Sequence, residues 1–164
     1  MSLGVHFALT ATQLKRLRAA RGDDDEVLEL TAEIEGAWDR KWLAETDKAW
    51  DAIHRALSDG ELTFDGGLAH APLGCVVLGG ESMVEDEDET VVLIEAKAVT
   101  AASRALAKLT EADFRKRYFK LCKGYSANFG EEDFGYTWEN LQDLRALFSR
   151  AAKAKRAIVF TVSS

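Results

Sequence analysis

Asp47, Trp50, Asp51 and His54 fall within one stretch, Asp47-Lys48-Ala49-Trp50-Asp51-Ala52-Ile53-His54-Arg55-Ala56-Leu57. An imidazole with a carboxylate three residues before it on a helix is the arrangement in which the acid orients the ring, favours its charged form and readies it as a base. Asp51 and His54 are the pair in which to look for such chemistry. Asp47 stands two turns from His54, roughly 10 Å along a helix axis at about 1.5 Å per residue, so the two do not bond directly. Its position reads as the helix N-cap, with the carboxylate accepting from the N–H of Ala49 or Trp50. A lone histidine beside a tryptophan is more often a hydrogen-bonded core residue than a base, and that is the favoured reading of His54. The four residues are binding candidates, and none of them qualifies as catalytic on sequence grounds.

Other reactive side chains offer less. Cys75 lies in the apolar run Leu73-Gly74-Cys75-Val76-Val77-Leu78, where burial raises a thiol pKa and makes it inert. Gly79-Gly80 would let a backbone approach a phosphate, but Glu81 follows at once and the full glycine fingerprints are absent, so the pair reads as a turn. Glu85-Asp86-Glu87-Asp88-Glu89 lacks the spaced ligands and glycine turn of a cation loop. It reads as a solvated surface loop, because carboxylates at this density repel one another and demand water. No metal set and no cofactor loop is expected. Trp38, Trp42, Trp50 and Trp138 sit among other apolar residues at helical spacing, with Trp38 or Trp42 the candidate for an exposed anchor.

The elements that must position these residues follow from periodicity. Ala49, Trp50, Ile53, Ala56 and Leu57 share one apolar arc while Lys48, Asp51 and Arg55 face away, which predicts a helix ending near Ser58-Asp59-Gly60. Alternation over residues 3–9 predicts a first strand, and Thr10-Ala11-Thr12-Gln13 has the spacing of a capping box opening a helix that stops near Gly22. Asp23 with Glu26 opens a second helix along Val27, Leu30, Ile34 and Trp38, with acidic outer faces. Trp42 and Leu43 are expected to pack across the connection into the Asp47 helix. Gly60 to Pro72 holds most of the loop signals and predicts an irregular crossing. Leu73 to Leu78 reads as a buried strand or a tightly packed turn. Val91-Val92-Leu93-Ile94 predicts a strand leading into an alanine-rich helix to about Lys108, and Thr110 starts another through Phe114, Tyr118, Phe119 and Leu121. A last long helix carries Trp138, Leu141, Leu144, Phe148 and Ala152. The run Ala157 to Val162 is apolar on both alternating faces and predicts a strand covered on both sides.

With 164 residues, 47% of them hydrophobic, the chain supports one sizeable core, so residues 1–164 read as a single domain. The predicted fold class is α/β, with α+β as the neighbouring option: a mixed sheet of about four strands flanked by helices. A formal net charge of -7 repels a duplex phosphate backbone unless a basic patch is strongly segregated, so nucleic acid is not the expected partner. Cys75 and Cys122 stand far apart in dissimilar contexts, giving neither a disulfide framework nor zinc spacing, which fits a reducing cytoplasm. No apolar run reaches the length needed to span a bilayer, so no membrane partner or anchor is expected.

Asp47-Lys48, Trp50, Ile53-His54, Leu57 and Gly60, together with Gly4-Val5-His6-Phe7, Pro72-Leu73 and Val77-Leu78-Gly79-Gly80-Glu81, resemble the pattern of the YfbM-like family of bacterial proteins of unknown function. The likeness covers most of the chain and weakens toward the C-terminus. Two departures stand out. Ser58-Asp59-Gly60 replaces a shorter Thr-Gly turn, and an acidic loop stands where many relatives have glycine and aromatic residues. The resemblance implies a single α/β domain in a cytoplasmic bacterial protein. It also implies a connection with toxin–immunity gene neighbourhoods, and no established reaction.

These readings converge on a cytoplasmic, non-enzymatic binding or interaction protein, immunity-type in one form, docking a basic protein partner. An acidic surface with an incomplete catalytic set suits recognition better than turnover. The alternative is a small-molecule enzyme or ligand-binding domain with a pocket beside Trp50 and His54.

Overall fold

The apolar closing segment of the chain takes the centre of the sheet. In the structure, a computed structural model describing residues 3–163, five strands form one sheet: β1 (Gly4–Ala8), β2 (Leu43–Asp47), β3 (Glu81–Ser82), β4 (Glu89–Ile94) and β5 (Ile158–Ser163). Their order is β2-β1-β5-β4-β3, and every pairing is antiparallel. Seven helices surround it: α1 (Ala11–Ala19), α2 (Asp24–Ala37), α3 (Trp50–Leu57), α4 (Phe64–Ala69), α5 (Ala96–Lys108), α6 (Glu111–Leu121) and α7 (Glu131–Lys153).

Alternate side chains of a strand point to opposite faces, and β4 and β5 use both. Val92, Ile94, Ile158, Phe160 and Val162 enter one core with Ile53, Leu57, Val99, Leu106, Phe114, Leu141, Leu144 and Phe148 from α3, α5, α6 and α7. Val91, Leu93 and Val159 enter the other with Leu17, Val27, Leu30 and Ile34 from α1 and α2. The result is a three-layer α/β domain with the sheet between two unequal helical layers. Thr10 and Gln13 make the predicted reciprocal cap of α1, Asp23 caps α2 through the Glu26 N–H, and Thr110 with Asp113 caps α6 in the same reciprocal way.

The α/β class holds, while the sheet differs from the expected mixed one of about four strands. Its extra members are the edges. β2 is half-buried and alternates only as Leu43-Ala44-Glu45-Thr46-Asp47, too short and polar to stand out, and β3 has two residues. Trp42 and Leu43 therefore do not simply bridge two helices, since Leu43 opens an edge strand. The expected irregular crossing contains α4, capped by Thr63 Oγ1 accepting from the Gly66 N–H.

Leu73 to Leu78 adopts the tightly packed turn of the two readings, beginning as a 3-10 turn over Leu73–Cys75. Glycine geometry explains why. A methyl group built on Gly74 would lie 2.0 Å from the Gly67 carbonyl oxygen, and one on Gly79 2.3 Å from the Gly74 oxygen. Three backbones meet where only glycines fit. Val76, Val77 and Leu78 then bury their side chains without joining the sheet.

Candidate functional site

β2 ends and α3 begins within three residues, and that reversal decides where the candidate residues go. Asp47 adopts φ +50°, a left-handed conformation uncommon outside glycine, although aspartate and asparagine enter it more readily than most side chains. Its carboxylate does not cap α3, whose N-cap is Ala49 with no side-chain hydrogen bond. Instead Tyr136 of α7 donates its phenolic proton to Asp47 Oδ2 at 2.6 Å and accepts from the Lys48 N–H at 3.1 Å. The N-cap expectation for Asp47 is thus corrected: the turn places its side chain toward α7, away from the first helical turn.

Asp51 and His54 are likewise separated. Asp51 Oδ1 accepts from Arg55 Nε at 2.6 Å, an i,i+4 pair along α3. His54 is 1% exposed. Its Nε2 lies 2.8 Å from the Thr63 carbonyl oxygen, and Nδ1 faces the Leu78 N–H at 3.4 Å. An Nε2-protonated tautomer satisfies both contacts, donating to Thr63 and accepting from Leu78. Burial is the main cause holding its pKa below the usual value, opposed first by the bond to Thr63 and then by the charges of Asp59 and Asp51. Gly67 packs so close that a methyl there would meet His54 Cε1 at 2.8 Å. The ring is enclosed, with both nitrogens engaged by backbone groups of other segments. Trp50 is half-buried, its indole 5.7 Å from the Phe160 ring and packed over Gly4, where a Cβ would come within 2.7 Å of Trp50 Cδ1.

A second histidine does similar work. His6 on β1 is fully buried against Phe148 and Phe160, and its Nε2 donates to the Val76 carbonyl at 2.8 Å. Burial lowers its pKa to about 4, with the Val76 bond opposing. His6 and His54 together anchor the glycine-rich turn onto the core from two directions.

Beside α3 there is an open cleft of about 700 Å³. Asp47 and Asp51 line it, while Trp50 and His54 are not among its lining residues. Lys48, Tyr125, Asp133 and Tyr136 complete the parts that matter chemically. Asp133 accepts from both Tyr118 at 2.5 Å and Tyr125 at 2.6 Å. Burial first, then the Asp133 carboxylate, pushes both phenols far above the usual tyrosine range. They stay protonated donors. The nearby Cys122 thiol is buried, lies 3.5 Å from the Ala52 carbonyl oxygen and is pushed up to about 12 by desolvation. Cys75 is raised by burial too. Neither sulfur is a nucleophile at neutral pH. Sequence spacing had no means of finding Asp133 or Tyr136, whose partners lie on other elements.

The acidic segments form a different surface. The Glu85 N–H donates to both carboxylate oxygens of Asp24, at 3.3 and 3.1 Å, joining the Glu85–Glu89 loop to the start of α2. The groove between them measures about 740 Å³ and includes Asp23, Asp24, Asp25 and Glu85. Asp25, Glu26, Glu85, Asp86, Glu87 and Asp88 are exposed. Among the described residues none of these is in an ion pair. The two tryptophans considered as anchors are engaged: Trp38 meets Phe7 edge-on at 6.0 Å, and the Arg156 guanidinium sits 3.6 Å over the Trp42 ring.

Among the described residues no cluster of histidine, cysteine and carboxylate side chains is arranged to hold a metal ion, and no helix is long and apolar enough to cross a membrane. No curated protein matches the chain. Among solved structures it is similar to a protein of unknown function, YfbM from Escherichia coli, with a TM-score of 0.67 at 17% identity over 98% of this chain and 99% of that one. At that identity the likeness establishes the fold. A family model described as a domain of unknown function, DUF1877, matches residues 1–161. The chain therefore belongs to this DUF1877 family of YfbM-like proteins of unknown function.

Proposed function

We propose that the protein is a cytoplasmic, non-enzymatic interaction domain that docks a basic protein partner on the acidic face formed by the start of α2 and the Glu85–Glu89 loop. The observation that carries this reading is the Asp24–Glu85 contact, which joins two acidic segments about 60 residues apart into one groove. Asp23 and Asp24 have structural duties at the helix start, and acids there also complement the helix dipole. Among the described residues, Asp25, Glu85, Glu87 and Asp88 form no such bond through their carboxylates, leaving them available to steer and hold cations. The engagement of both His54 nitrogens supports recognition over turnover. An immunity-type role, blocking a basic toxin, is the specific form of this reading.

The test compares the parent with a variant carrying Asp25→Asn, Glu85→Gln, Glu87→Gln and Asp88→Asn. Affinity capture from the native host should recover a basic protein with the parent and lose it with the variant. With that partner purified, the variant should associate more slowly and with a flatter dependence on ionic strength, at unchanged folding. Equal capture by both chains, or no basic protein recovered by the parent, would sink the proposal.

The cleft beside α3 favours a second reading, a binding site for a small cation held by Asp47, Asp51 and Asp133 against Tyr125 and Tyr136. Spermidine titrated into the parent and into Asp51→Asn separates the two: a melting shift confined to the parent supports the cleft, and no shift retires it.

A further inference from the structure

One stretch of the chain carries an excess of positive charge. Between Lys97 and Lys123 lie eight basic side chains and two acidic ones, in a protein of net charge -7. Helical spacing then sorts the cations. Lys97, Arg104 and Lys108 share the exposed face of α5, and Lys116 and Lys120 share that of α6, continued by Lys123 just past its end.

The two helices share a groove of about 600 Å³. Ala105, Leu109 and Leu121 give it an aliphatic lining, and Lys108, Lys116 and Lys120 stand along it. Two other charged groups stand on its walls, and the Asp113 carboxylate also attracts Lys116 and Arg117. Arg117 donates to the Ala56 carbonyl at 3.4 Å, and Asp113 accepts from the Thr110 N–H as part of the α6 cap. Among the described residues, Lys108, Lys116 and Lys120 are in none of the ion pairs.

We infer that this groove docks an acidic, amphipathic segment of a partner protein, carboxylates toward the lysines and aliphatic side chains on the floor. A helix laid in a groove uses both features, with anchors at i, i+3, i+4 and i+7. A nucleic-acid backbone uses the lysines alone, and no aromatic side chain lines the groove to stack a base. All but two of the 28 acidic side chains lie outside this stretch. A long polyanion or an anionic bilayer reaching past the groove meets that opposing charge, whereas a short segment stays within the local positive field. This surface lies on the helical layer opposite α2, so its test stands or falls separately from that of the acidic face.

The experiment is fluorescence anisotropy with the full chain and a labelled synthetic helix of about 18 residues, leucines at i, i+3, i+4, i+7 and glutamates elsewhere. Binding should weaken as salt rises. Lys116→Glu with Lys120→Glu should reduce affinity by about tenfold or more with an unchanged melt, since both side chains are exposed. Ala105→Gln narrows the floor without altering charge, and should weaken the leucine-bearing helix while leaving any attraction for leucine-free polyglutamate as it was. The inference is overturned by equal binding of the two acidic peptides. Indifference to the double charge reversal overturns it too, as does tighter binding of oligo-dT or phosphatidylserine vesicles than of the peptide, or absence of peptide binding.

Discussion

Tyr136 donates a 2.6 Å hydrogen bond to Asp47 across 89 residues of sequence, and Asp47 holds a left-handed backbone at φ +50° while accepting it. The bond and the strain oppose each other. Glycine at position 47 removes the strain and the bond together. Tyr136→Phe should therefore cost about 0.5–1.5 kcal/mol in the parent and less in an Asp47→Gly background, where only the bond from the Lys48 N–H remains to be lost. A double-mutant cycle by urea denaturation checks this, and equal costs in both backgrounds would show that the phenol stabilises the turn by other means.

His54 links three segments: α3, the Thr63 carbonyl and the Leu78 N–H. His54→Ala empties a buried site and strands two backbone groups, at a cost of about 1–3 kcal/mol. Thermal melts should register a clear loss. A melt indistinguishable from that of the parent would contradict the tether and reopen the pocket reading.

The buried histidines also give stability a pH dependence. The folded pKa of His6 is lowered to about 4 from an ordinary 6.5, and that of His54 is lowered in the same direction. The unfolded chain then binds protons that the folded chain refuses, so stability is complete above about pH 6.5 and falls as pH drops toward 4. For His6 the loss is on the order of 3 kcal/mol, at about 1.4 kcal/mol per unit. His6→Gln keeps a donor for the Val76 carbonyl without a titrating ring. Denaturation midpoints at pH 7.5 and pH 5 should differ markedly less in that variant, and an equal difference would assign the acid sensitivity to groups other than His6, His54 among them.

What the sequence makes legible is local. The apolar arc of Ala49, Ile53, Ala56 and Leu57 requires a buried helix face, and the two-faced run from Ile158 to Val162 requires a sheet covered on both sides, as both are. The acidic segments read correctly as surface, but their adjacency, fixed by the burial of Met83 and Val84 beside α2 and by the Glu85 N–H on the Asp24 carboxylate, is announced by no spacing. The same limit hid the cleft, because Asp133 gains its meaning from Tyr118 and Tyr125, and Tyr136 from Asp47. Asp51 and His54 failed as a pair for a local reason. Arg55 completes an i,i+4 partnership with Asp51, while the histidine finds backbone groups brought by the next segment.

The glycine turn supplies the sharpest packing prediction. A Cβ on Gly74 would stand 2.0 Å from the Gly67 oxygen, and the obstacle is backbone, which cannot rotate aside as a side chain does. Gly36, on the exposed side of α2, has nothing within 4 Å of such a Cβ and no positive φ. Gly74→Ala should therefore cost about 3 kcal/mol or more and lower yield, while Gly36→Ala should raise stability by about 0.5–1 kcal/mol. Parallel denaturant melts decide the matter. Because His6 and His54 both bond to this turn, Gly74→Ala should also diminish the stability difference between pH 7.5 and pH 5. If Gly74→Ala folds with the parental midpoint and pH response, the close approach of the two backbones is not what holds the turn.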